Sequence, residues 1–351
     1  MKGRHPMNTG KRRTLTLAVI TVVMALSLTF LAPSGAILPD AQQRYLEETL
    51  PDFSHADNAW DYKLDGAVGY LASAGLMDAI MPTNDIAYLP ITLNEPGRVP
   101  IAENFTQDGY QDSTIIVEIK HVREYDSTFH VATVKIATPT QLRTAVSNSK
   151  YGDDPELFSA AMNAIVLMNG DFYTKTSSGN GYIVRQTEVY RWKASTKTDL
   201  LLIDENSDLH IIMHGDTKSV QEDAVEAFLA EHELINAFYF GPALVVDGVQ
   251  VDIPKEYLGD PHEDNPRAAI GQLAPLTYVM VTVDGRTSES AGVTVEELAS
   301  FMHSLGCTQA YAMDGGNSSI LVFNHQMLSN KGSYETRSLS DVIFFASAID
   351  N

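Results

Sequence analysis

Polar and apolar positions alternate with a period of two along much of this chain. Ile115–Lys120 and His130–Ile136 alternate in strand fashion, with 122–129 left between them as a loop. Ile165–Met168 is a short apolar run, and Tyr182–Trp192, Asp199–Ile203 and Leu209–Met213 alternate again. Asn236–Val251 returns to strand, with Asp247-Gly248 as its hairpin turn. Ala268–Gly271, Leu276–Val283, Gln309–Met313, Ile320–Phe323 and Val342–Ala346 complete the β set. Helical spacing is confined to a few segments. Pro155–Asn163 would turn Leu157, Ala160 and Ala161 inward, and Ser219–His232 would turn Val220, Ala224, Phe228 and Leu229 inward. Val295–Leu305 places Leu298, Phe301, Met302 and Leu305 on one face. Thr294 and Glu297 are spaced as a capping box ahead of it, and Gly306 stands where the helix should stop. Strands outnumber helices without strict β-α alternation. The pattern therefore predicts an α+β fold, a mixed and largely antiparallel sheet with packed helices.

The N-terminus reads differently. Lys2, Arg4, Lys11, Arg12 and Arg13 precede an apolar run, 15–32, with no acidic residue before Asp40. Such a run reads as a transmembrane helix or an export signal, with Ser34-Gly35-Ala36 as a small-residue cleavage site. The expected division is a basic tail and signal segment at 1–36, an extracytoplasmic stalk at 37–100 and the main domain at 101–351. A membrane location through the N-terminal segment follows, or secretion if the signal is cleaved.

Charge narrows the classes further. Formal net charge is −21, which argues against nucleic-acid binding, a function that wants a basic face. The single cysteine, Cys307, gives an exported chain no internal disulfide and is expected to be buried and inert. His121 and His130 read as edge or surface residues. His210 and His214 lie four apart on a strand, a spacing without metal-binding logic.

Candidate chemistry gathers at strand ends. Asn169-Gly170-Asp171 ends one apolar strand, and Phe172 and Tyr173 follow as rings that can wall a ligand by stacking. Asp284-Gly285-Arg286 ends another. Asp314-Gly315-Gly316-Asn317-Ser318-Ser319 lies between two apolar runs and reads as the turn to a return strand. Arg267 stands between the polar loop 261–266 and an apolar strand, where phosphate or a neighbouring carboxylate would explain it. Glu297 is equally a helix cap or a site carboxylate.

The helix G-x-T-x-x-E-L-A-x-x-M-x-x-L-G-C over 292–307, followed by D-G-G-x-S-S at 314–319, resembles the phosphodiester glycosidase family. Four more segments resemble it in the same order: 168–173, 240–248, 266–272 and 283–286. The resemblance runs from about Ile115 to the C-terminus. It departs at two positions, since relatives more often carry Gly at Asp171 and usually Thr at Ala268. It implies hydrolysis of a sugar-1-phosphate diester on an exported or cell-envelope glycan, releasing sugar and phosphomonoester, and bacterial relatives are linked to exopolysaccharide. In this reading Asp314, Glu297, Asp171 and Asp284 are the catalytic candidates. Asn169, Gly170, Arg267, Arg286, Gly315, Gly316, Ser318, Ser319 and Arg337 are the substrate and phosphate binders. No cofactor is certain from the resemblance, and a divalent cation near Asp314 stays open. The alternatives are a non-catalytic glycan-binding protein of envelope or exopolysaccharide assembly, a serine hydrolase using Ser318 or Ser319, and a metal-dependent phosphodiesterase. The second lacks the G-x-S-x-G elbow and the third lacks a histidine–aspartate motif.

Overall fold

The computed structural model describes residues 91–149, 151–171, 179–257, 260–329 and 337–349, all within one compact unit, Tyr62–Asn351. The expectations for the basic tail, the 15–32 run, the 37–90 part of the stalk, Phe172 and Tyr173 lie outside them. Among the described residues no helix is long and apolar enough to cross a membrane.

The described residues form three antiparallel sheets. The large sheet has the order Gly109–Gln111, Ile115–Glu124, Ser127–Ile136, Thr277–Val283, Arg267–Ala274, Gln309–Met313, Ala243–Val246 and Val249–Gln250. A middle sheet runs Glu188–Lys193, Gly181–Arg185, Leu234–Phe238, Leu200–Asp204 and Leu209–Ile212. A C-terminal sheet runs Gln326–Met327, Leu321–Phe323, Ala164–Asn169, Asp341–Ala346 and Leu142–Val146. One face of each sheet meets the other two in a shared core, where Ile119 and Ile270 pack with Ile165, Phe345, Leu201 and Phe238. Strands facing a common core on one side and a helix on the other are apolar on both faces, which is why Ala164–Asn169 and Leu200–Asp204 are buried throughout.

Each outer face carries a helix. α1 (Pro155–Ala161) packs on the C-terminal sheet, α2 (Lys218–Glu231) on the middle sheet and α3 (Val295–Ser304) on the large one. α3 starts with the capping box read from sequence: the Thr294 hydroxyl accepts from Glu297 N at 3.2 Å, and Glu297 Oε2 accepts from Thr294 N at 3.0 Å. It buries Leu298, Phe301 and Met302, each contributing about 1.5–3 kcal/mol. Gly306 ends it at φ +84°.

Several elements differ from the sequence reading. The 122–129 loop does not exist: the two strands extend to a two-residue turn at Tyr125-Asp126, both at positive φ, as a tight antiparallel hairpin demands. Tyr182–Trp192 is likewise a hairpin, turning at Gln186-Thr187. α1 exposes Leu157 and buries Phe158 and Ser159 instead, and α2 exposes Val220 and Leu229 while burying Gln221 and Val225. The Gln221 amide explains the rotation of α2. It accepts from Ser195 N at 2.7 Å and donates to Thr198 O at 3.0 Å, satisfying main-chain groups an apolar side chain would leave bare. Residues 91–98, assigned by sequence to the stalk, are part of this unit: Ile91 is buried and Arg143 donates to the Thr92 carbonyl at 2.7 Å. Cys307 is buried against Gly271, and burial pushes its thiol pKa up, as an inert cysteine requires.

The largest difference concerns 314–319. Gln309–Met313 belongs to the large sheet and Leu321–Phe323 to the C-terminal sheet, so this loop is a crossing between sheets and not a hairpin turn.

Candidate active site

Antiparallel register brings distant segments to one end of the sheets. Met313 pairs with Ala268 and Arg267 with Val283, so the C-terminal ends of the Thr277–Val283 and Gln309–Met313 strands meet the start of Arg267–Ala274. In the C-terminal sheet Asn169 pairs with Val342. Asn169 ties the two sheets: its Nδ2 donates to the Asp314 carbonyl at 2.7 Å, and its Oδ1 accepts from Ile320 N at 3.1 Å. The amide therefore grips both ends of the crossing loop. Gly170 accepts from Asp314 N at 3.3 Å, and a Cβ on Gly170 would run into the Asp341 carboxylate.

Asp314 stands at the centre. Its side chain is largely buried, and burial pushes its pKa up to about 6; a Ser318 hydrogen bond and the Arg337 charge oppose that rise, whereas Asp341 adds to it. Arg337 Nη1 lies 4.0 Å from Asp314 Oδ2 and donates to Ser318 Oγ at 3.2 Å. Arg337 is about half exposed. A carboxylate with a raised pKa, a hydroxyl and a reachable guanidinium thus share one loop end, with Asn169 behind them. Ser319 is turned the other way and donates to the Arg267 carbonyl at 2.7 Å. Gly316 takes φ +60° beside Arg286, whose guanidinium donates to Asn317 Oδ1 at 2.7 Å and Asn265 Oδ1 at 2.9 Å. Gly315 lies against the Pro266 carbonyl, too close for a side chain.

Four expected site residues take other roles here. Arg267 is buried and donates to the carbonyls of Val293 at 3.1 Å, Asp260 at 2.8 Å and Glu263 at 2.7 Å. Burial lowers its pKa to about 10. It clamps the 260–266 loop onto the large sheet, a use that explains its position without phosphate. Glu297 closes the α3 cap. Asp284 is buried with its Oδ1 2.9 Å from His130 Nε2, and His130 Nδ1 is 2.8 Å from His121 Nδ1. That also corrects the reading of His130 as a surface residue. Asp171 is buried behind the loop. Tyr239 N and Phe240 N donate to it at 3.0 and 3.1 Å, and Arg185 Nη2 at 3.1 Å.

Arg185 and Asp341 escaped the sequence reading. Arg185 lies wholly buried over the Phe238 ring and donates to Asp341 Oδ2 through Nε at 2.9 Å and Nη2 at 2.5 Å. One guanidinium thus serves two buried carboxylates. Burial pushes both Asp171 and Asp341 upward, and the Arg185 charge opposes it. The signal was present as charges set in apolar runs, Arg185 after Tyr182–Val184 and Asp341 before Val342–Ala346. Among the described residues the group of three metal-ligating side chains is Asp204, His210 and His232, none of them at Asp314.

A family model described as phosphodiester glycosidase matches residues 162–346 of the chain, a span that holds every residue of this site. The chain belongs to the phosphodiester glycosidase family. A curated relative, the SPbeta prophage-derived uncharacterized protein YomE of Bacillus subtilis (strain 168), is 34% identical over 108 residues. That match covers 31% of this chain and only 17% of the relative's length. Among solved structures, the zebrafish N-acetylglucosamine-1-phosphodiester alpha-N-acetylglucosaminidase catalytic domain, auto-inhibited by its pro-peptide, superposes with a TM-score of 0.50 at 14% identity. The superposition covers 77% of this chain and 98% of that one; at this identity the likeness is one of fold. The Asp314 loop, the Asn169 strand end and the start of the Arg267 strand all fall inside the matched span.

Proposed function

We propose that this protein hydrolyses the C1–O bond of a sugar-1-phosphate diester, with Asp314 as the carboxylate beside the anomeric carbon. One observation supports this most: Asp314 is a largely buried carboxylate at the junction of two sheets, held with Ser318 and Arg337. Breaking C1–O leaves positive charge on the sugar, and the bond's electron pair departs with the phosphate. Water then bonds to C1 and gives up a proton. An ionised Asp314 stabilises the developing charge at C1 and accepts that proton. Arg337, with Arg286 at the mouth of the loop, meets the leaving phosphomonoester. Phosphate is a good leaving group, so no second carboxylic acid is needed to protonate it. The buried Asp171–Arg185–Asp341 set lies behind the loop as its support.

The substrate we infer is a phosphodiester of an exported or cell-envelope glycan. The basic residues and apolar run at the N-terminus support this context, as signal or anchor. The experiment is turnover of a panel of sugar-1-phosphodiesters in ¹⁸O-labelled water. Cleavage at C1 puts the label in the sugar and leaves phosphate unlabelled. Label in the phosphate, or no turnover on any member, contradicts the proposal.

A further inference from the structure

We propose that Asp204, His210 and His232 form a binding site for one divalent transition-metal ion of the zinc class, apart from the Asp314 site. Asp204 ends the Leu200–Asp204 strand, His210 stands opposite Leu202 on the neighbouring strand, and His232 is the residue that closes the C-terminus of α2. Asp204 Oδ2 lies 3.1 Å from His210 Nε2 and 3.3 Å from His232 Nδ1, and the three ligand atoms fall within 4.8 Å of one another. Zinc bonds of about 2.0–2.2 Å at tetrahedral angles set neighbouring ligand atoms roughly 3.3–3.6 Å apart. The two distances are thus near the edges of such a polyhedron before any ion draws the side chains in.

The surroundings hold the donors in place. Asp204 Oδ1 accepts from Asn206 N at 2.9 Å and Asp208 N at 2.8 Å, which fixes the carboxylate and leaves Oδ2 directed at both rings. Phe228 stacks on His232 at 5.0 Å and meets His210 edge-on at 5.1 Å, so one aromatic ring orients both imidazoles. The Asp204 side chain is buried, whereas both histidines keep about a third of theirs exposed, leaving a solvent side for a water ligand. Two imidazoles with one carboxylate suit zinc rather than calcium or magnesium, which take oxygen ligands.

The ion would tie the end of α2 to the hairpin made by Leu200–Asp204 and Leu209–Ile212. The next strand, Leu234–Phe238, runs on to Tyr239 and Phe240, whose N–H groups hold Asp171. The site is thereby a brace for the sheet that supports the catalytic loop, and does not itself touch the proposed substrate.

The rival account is a carboxylate oxygen that merely accepts two imidazole N–H bonds. It is separated by zinc titration of the untagged, chelator-stripped full chain, read by calorimetry and by the thermal midpoint. We expect one equivalent of zinc per chain and a midpoint that rises with zinc. His232→Ala should bind at least about tenfold more weakly. His210→Gln keeps an N–H donor for Asp204 but removes the imidazole. It should fold as the wild type does and still lose the same affinity and the midpoint rise. Absence of saturable uptake by the wild type, or unchanged affinity in His210→Gln, overturns the proposal.

Discussion

Replacing Arg185 with methionine removes one guanidinium and strands two carboxylates. Methionine fills similar volume and can still lie against Phe238, so the change is chiefly electrostatic. The side chain donates to Asp171, twice to Asp341, and to the carbonyls of Val184 and Ala237. Asp171 retains two main-chain donors, but Asp341 loses the guanidinium that pairs with it while remaining buried. Breaking a buried pair by deleting one partner costs about 3–5 kcal/mol. Against a total stability of about 5–15 kcal/mol, that is a large share. At roughly 2–4 °C per kcal/mol the midpoint should fall by about 6–20 °C. The pH dependence identifies the cause. Both carboxylates already have folded pKa values raised above their unfolded ones, and losing the cation raises them further. The folded state then binds more protons than the unfolded state, so stability rises as pH falls through the folded pKa values. Urea unfolding at neutral and at mildly acid pH, followed by tryptophan fluorescence, measures both effects. The deficit should be greatest at neutral pH and narrow in acid. A loss below about 1 kcal/mol, or a deficit indifferent to pH, refutes the account of this cluster.

Other outcomes follow from the same geometry. Thr294→Ala should cost about 1 kcal/mol by opening the α3 cap, and Glu297→Gln should leave kcat near wild type; a collapse of kcat in folded Glu297→Gln would restore that residue to the chemistry. Activity on a sugar-1-phosphodiester should fall as pH drops through about 6, where Asp314 takes up a proton. In Arg337→Ala this acid limb should move to higher pH by no more than about 0.7 units, because the arginine is half exposed; a shift to lower pH contradicts its role. Gly170→Ala should destabilise by about 1–3 kcal/mol through collision with Asp341, and Gly248→Ala, where no neighbour lies within 4 Å, serves as the comparison for backbone strain alone.

Local patterns were legible in the sequence where local forces decide them. The α3 cap, the Gln309–Met313 strand and the Asp247-Gly248 turn depend on residues within a few positions. The Asp314 loop stood out in the sequence as a candidate stretch from its glycines, hydroxyls and family motif, but its course was not legible. Two apolar runs flanking a tight polar loop look like a hairpin, and only the partners of each run reveal that they join different sheets. Arg267 shows the same limit. An arginine between a polar loop and an apolar strand calls for an acceptor, and nothing in the sequence distinguishes phosphate from the carbonyls of Asp260, Glu263 and Val293. Asp204, His210 and His232 come together only because α2 ends over the middle sheet, so spacing along the chain gave no hint of their meeting. The faces of α1 and α2 were misassigned because buried polar groups, Ser159 and Gln221, answer to main-chain or side-chain partners that hydropathy does not register.

The central claim is that Asp314 is the carboxylate that faces the anomeric carbon, and its most direct measurement is single-turnover hydrolysis of a sugar-1-phosphodiester by Asp314→Asn. Asparagine keeps the shape and can still hydrogen-bond to Ser318, so the fold should survive. The account predicts a drop of at least about a hundredfold in the chemical step with substrate still bound. A folded Asp314→Asn protein that cleaves the diester at near the wild-type rate would contradict it.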